Sequence, residues 1–115
     1  MNNLKRLMKK NNFLLAFFFI FFFSLQSIKA DEAKMIQGLE IFNEIAGCAG
    51  CHVLKAAGAE GNVGPSLDSL KPTQAEVQDM VFYGLGVMPA YGEDEMLTEE
   101  QVDIVSFYVA NSAGK

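Results

Sequence analysis

Cys48-Ala49-Gly50-Cys51-His52 holds both cysteines of the chain and its only histidine. The C-x-x-C-H spacing is the attachment signature of a c-type haem. The two thiols add across the porphyrin vinyl groups, and the histidine directly after Cys51 serves as proximal ligand to the iron. One turn of helix suits the job: Cys48 and Cys51 stand at i, i+3 and His52 at i+4, so all three project from one face. Two other chemistries use similar spacings. A structural zinc site takes four ligands from two separated pairs, and the sequence has no second cysteine pair or further histidine. A thioredoxin-like thiol pair sits in a β-α-β pattern, which this chain lacks.

Outward from that stretch the pattern is helical. Met35, Ile36, Leu39, Phe42 and Ile45 give a helical stripe over 32–44, with Gly38 on the same side as Phe42 and Gly47 as the stop. A helix-interior glycine costs about 1 kcal/mol against alanine, so Gly38 marks close approach of another helix. Val53 and Leu54 continue the haem turn. Residues 55–70, with Gly58, Gly61, Gly64 and Pro65, read as a long functional loop with Val63 and Leu67 toward the porphyrin. Thr73 and Glu76 form a capping box that opens a helix, with Val77, Met80, Val81 and Phe82 on its apolar face and Gly84 at its end. Residues 84–97 form a second loop containing Met88-Pro89 and the solvated acidic run Glu93-Asp94-Glu95. Thr98 and Gln101 form another capping box, and Val102, Val105, Tyr108 and Val109, widened by Ile104 and Phe107, make the stripe of the last helix. There is no β-hairpin signal, and the fold class is all-α.

The sixth iron ligand decides what the haem does. With no second histidine, the candidates are Met35, Met80, Met88 and Met96, a lysine, or an open site. Met35 and Met80 sit on apolar helix faces and read as core. Met96 reads as a hydrophobic staple before the final helix. Met88 lies between glycines and before Pro89, where a stiff backbone holds a thioether in place, and is the favoured ligand. His52 binds iron through one ring nitrogen, and the other needs a fixed acceptor; a carbonyl of the Gly64-Pro65 segment fits.

The N-terminus has a different character. Lys5, Arg6, Lys9 and Lys10 precede an apolar run of 11 residues, 13–23, and polar residues return before Ala30. A charged start, a short apolar centre and a small residue at the end describe a secretory signal peptide; a spanning helix needs about 20 apolar residues. The reading is a signal over 1–30 and one domain over 31–115, exported to the periplasm; an uncleaved segment would instead anchor the chain in the membrane. Residues 31–115 keep four basic residues against all 14 acidic ones, a formal charge of −10. Such a surface argues against nucleic acid as partner and favours basic docking patches on redox proteins. A domain this small gains from a cofactor to pack around.

The chain resembles the small class I monohaem cytochromes c. The resemblance rests on Gly38-x-x-x-Phe42, Cys48–His52, Val63-Gly64-Pro65-Ser66-Leu67, Gly86-Val87-Met88-Pro89-Ala90-Tyr91 and Tyr108-Val109, and it spans the whole of 31–115. It implies a cytochrome c fold, about four short helices wrapped around one haem c. It implies thioethers at Cys48 and Cys51, iron ligation by His52 and Met88, and a Pro65 carbonyl accepting from His52. It also implies that the Gly38/Phe42 face crosses the last helix near Tyr108. The spacing from Phe42 to Cys48 is longer than the pattern expects, which predicts a different helix end. The function implied is single-electron transfer rather than catalysis, as a monomeric shuttle between respiratory or dehydrogenase donors and a terminal acceptor. The alternative is a subunit bound tightly to a periplasmic dehydrogenase, oxidising sulfite or alcohols for example.

Overall fold

The computed structural model describes Leu15, Phe18 and residues 29–115. The chain divides into two compact units, Met1–Glu32 and Ala33–Lys115. Apart from Leu15, Phe18, Lys29 and Ala30, the expected signal segment lies outside the described residues. Among the described residues no helix is long and apolar enough to cross a membrane.

In the second unit, helix α1 (residues 33–40) runs into a π-helical turn, Ile41–Ile45, capped by Ala46. A π turn is what an extra residue does to an α-helix, and it accounts for the long Phe42–Cys48 spacing. The face that packs is Gly38, Ile41 and Phe42, while Ile36 and Ile45, expected on the apolar stripe, are exposed. Gly47, expected as the cap itself, follows one residue later in the left-handed region at φ 65°.

A 3-10 turn, Cys48–Gly50, comes next. Val53 and Leu54 do not continue it. They form strand β1 (Val53–Leu54), paired antiparallel with β2 (Ala59–Glu60) in the register Val53↔Glu60, Leu54↔Ala59. The predicted long loop therefore holds a small hairpin, a 3-10 turn at Lys55–Ala57 and a one-turn helix α2 (Leu67–Leu70). Two-residue strands are too short to show an alternation, which is why the sequence is silent about them. The molecule is otherwise helical, as expected.

Helices α3 (Gln74–Tyr83) and α4 (Glu99–Ser112) open on the two predicted capping boxes. In α3 the buried residues are Val77 and Val81; Met80, expected in the core, is exposed. Before α4, Leu97 rather than Met96 is the buried staple; it stands one residue before the Thr98 cap, and Met96 is exposed. Val102, at the fourth helical position, is buried with it, as the staple geometry requires.

The core gathers Phe42 of the π turn, Leu54 of β1 and Val102, Val105 and Val109 of α4, each at most 2 % exposed, with Val77 and Val81 of α3 buried beside them. Where α1 crosses α4, Phe42 and Tyr108 stack at a tilt of 58° with ring centroids 6.1 Å apart. Asp103 ties the same helices at the rim: it accepts from Lys34 Nζ at 3.0 Å and from Gln74 Nε2 at 2.9 Å.

Candidate haem site

The attachment turn is held by its own backbone. Cys51 N and His52 N both donate to Cys48 O, at 3.1 and 3.0 Å, so the two thiols and the imidazole leave a single turn. Both cysteines are free thiols. Burial, and more weakly the neighbouring Cys51, push the Cys48 thiol up to about 11.

His52 is oriented from the far side of the hairpin. Its Nδ1 lies 2.8 Å from Pro65 O. A carbonyl only accepts, so Nδ1 carries the proton and Nε2 keeps its lone pair for a metal. The segment is pinned in turn, because Gly64 N donates to Cys51 O at 2.8 Å. Gly64 passes directly against the ring: a Cβ there would stand 2.5 Å from His52 Cε1 and 2.9 Å from Nδ1. The Gly64-Pro65 pair thus acts as a cradle for the imidazole.

Met88 sits in a tight turn after α3. Leu85 N donates to Met88 O at 3.2 Å and Met88 N to Leu85 O at 3.0 Å. Gly86 has φ 60°, the sign required at the first central position of a type II′ turn. Met88 is half-buried and packs against the core. Met35 also packs there, whereas Met80 and Met96 are 40 % and 56 % exposed.

One contact had no warning in the sequence beyond the identity of the residue. The Tyr91 hydroxyl donates to Ala46 O at 2.9 Å, across 45 positions, and brings the Met88 loop onto the segment leading into Cys48. Burial first, and then the two thiols, raise the Tyr91 phenol above its ordinary 10. Asp68 was also missed. It accepts from Lys55 N and from Gly114 N, both at 2.8 Å, and so ties α2 to the hairpin and to the C-terminus.

These residues fit a haem. Two thiols, an imidazole with a free Nε2 and a thioether in a fixed turn are the donor set it needs. Large apolar side chains stand exposed on the segments that follow the attachment turn: Val63 at 66 %, Leu70 at 59 %, Tyr83 at 61 % and Leu85 at 70 %.

The attachment turn, the cradled histidine and the helical wrap define a small c-type cytochrome. Residues 33–109 match the family of cytochrome c oxidase, cbb3-type, subunit III, and the chain belongs to that family. Its structure is similar to that of the c-type cytochrome SorU from Sinorhizobium meliloti, with a TM-score of 0.68 and 46 % identity over 73 % of this chain and 95 % of that one. Comparison with curated proteins found no match. The chain is thus an electron-transfer haem protein with one covalently held c-type haem, for which Cys48 and Cys51 have the spacing. Domains of this family carry electrons rather than catalyse reactions.

Proposed function

We propose that the chain is a periplasmic single-electron carrier whose iron is bound by His52 and Met88. The observation that carries this reading is the His52 Nδ1–Pro65 O bond of 2.8 Å, which commits the imidazole to one tautomer and one orientation. When bound, the haem supplies a one-electron ferric/ferrous couple. His52 offers Nε2, made more basic by the proton shared with Pro65 O. Met88 offers a soft thioether that favours the ferrous state and raises the potential. His52 and Met88 would together hold the iron and leave it no site for oxygen or peroxide, so the bound group would serve electron transfer rather than oxygen chemistry. The N-terminal segment over 1–30 directs export, and residues 31–115 act as a monomer that meets basic patches on its redox partners.

The test is Met88→Ala. The ferric protein should lose the long-wavelength absorption band of methionine-ligated haem and gain affinity for added imidazole. A band that survives the substitution would falsify the ligand assignment. The family's name, subunit III of an oxidase, favours a second reading, in which the chain works as a bound electron-transfer subunit. A periplasmic dehydrogenase is the other candidate host. Co-purification with a catalytic subunit from the native source would select the subunit reading, and a free monomer would select the shuttle.

A further inference from the structure

Residues 84–97 carry Met88, and nearly all their hydrogen bonds close locally. Leu85 and Met88 bond each other, Gly92 N and Glu93 N donate to Phe82 O, Asp94 N to Ala90 O, and Leu97 N to Tyr91 O. Among the described residues a single hydrogen bond leaves this neighbourhood, from the Tyr91 hydroxyl to Ala46 O. Ala46 caps the π turn and stands two residues before Cys48. Tyr91 is therefore anchored at both ends. Its carbonyl holds the buried Leu97 at the start of α4 at 2.9 Å, and its hydroxyl holds the entry to the attachment turn at 2.9 Å. Pro89, with its φ fixed by the ring, lies between Met88 and Tyr91 and passes that restraint along the backbone.

We infer that Tyr91 is a positioning residue: its hydroxyl latches the Met88 loop to the haem-attachment segment and so sets how easily an outside ligand displaces the methionine. The inference rests on the His52/Met88 reading above. A neutral tether of this kind contributes about fivefold to the balance between closed and open loop. Any ligand that binds only the open form gains the same factor when the tether is removed.

The experiment is imidazole titration of the ferric holoprotein in four forms: wild type, Tyr91→Phe, Met88→Ala and the double variant. Phenylalanine keeps the ring and its packing, and an intact long-wavelength band in Tyr91→Phe reports that the fold and the ligand are retained. Tyr91→Phe should bind imidazole about fivefold more tightly than wild type, and its Leu85 and Met88 amides should exchange with deuterium faster by a similar factor. In the Met88→Ala background the same substitution should leave imidazole affinity unchanged, because no methionine remains to be displaced. Equal affinity of wild type and Tyr91→Phe overturns the latch, and so does an equal gain in both backgrounds, which would mark a purely structural role. A band that survives Met88→Ala sinks the ligand assignment itself, an outcome distinct from either.

Discussion

Gly38→Ala sets helix propensity against packing within one methyl group. In an isolated helix the change is favourable by about 1 kcal/mol. Here the added Cβ would fall on Tyr108 Cβ, 2.9 Å from Tyr108 Cγ and 3.1 Å from Ile104 O. None of these atoms can easily move away. Tyr108 is 3 % exposed and its ring is stacked on Phe42, and Ile104 O belongs to the α4 backbone. Overpacking against fixed neighbours costs about 1–3 kcal/mol, and the upper end applies where the obstacle is a Cβ and a carbonyl. The expected net loss is about 2 kcal/mol, or about 30-fold in the unfolding constant, a large share of the 5–15 kcal/mol or so typical of a domain. Guanidinium unfolding of the ferric holoprotein, followed by helical circular dichroism, should show the midpoint falling by about 0.7 M at an m-value of about 3 kcal/mol/M. A Gly38→Ala protein that unfolds at or above the wild-type midpoint with an unchanged m-value would refute the crossing of α1 and α4 at this residue.

Gly64→Ala places a Cβ 2.5 Å from His52 Cε1, so the cradle must open and the bond to Pro65 O lengthen; stability should fall by about 1–3 kcal/mol, and the reduction potential, read by redox titration, should rise as the imidazole loses basicity. Asp68 is held below its ordinary 3.8 by the Gly114 amide first and the Lys55 amide second. A depressed folded-state pKa means that its contribution is present above the unfolded value and is lost as pH falls through the folded one. Asp68→Asn should therefore be less stable than wild type near neutral pH, with the difference shrinking in acid; a gap that persists at low pH would show that charge is not involved. With a basic redox partner, stopped-flow association should slow steeply as salt shortens the screening length from about 10 Å at 0.1 M to about 3 Å at 1 M; a rate indifferent to salt would discard the charge of −10 over 31–115 as a docking feature.

Local signals in the sequence were read correctly where their physics is local. The two capping boxes are four-residue patterns and occur as expected at Thr73 and Thr98. Gly38 was legible because a costly glycine in a helix demands a reason, and Tyr108 supplies it. The haem turn is legible in five letters. The Tyr91–Ala46 bond spans 45 positions, and no short-range pattern encodes it. The hairpin at 53–60 has strands of two residues, fewer than one full alternation needs to declare itself.

The errors in burial have a common cause, and it bears on the cofactor. Periodicity assigns every apolar residue on a helical stripe to a protein core, because in most domains the only apolar surroundings are other side chains. Periodicity puts Met80 in the core, yet it is 40 % exposed; one position further along α3, Val81 is 5 % exposed and belongs to the core. Val63, Leu70, Tyr83 and Leu85 are further large apolar side chains that stand exposed. A domain this small cannot leave so much apolar surface in water without losing much of its hydrophobic stabilisation. A chain selected to pack around a porphyrin is free to use two apolar faces per element, one for its own core and one for the plate. In such a chain an apolar residue on a helical stripe, as at Met80, is not by that alone a core residue.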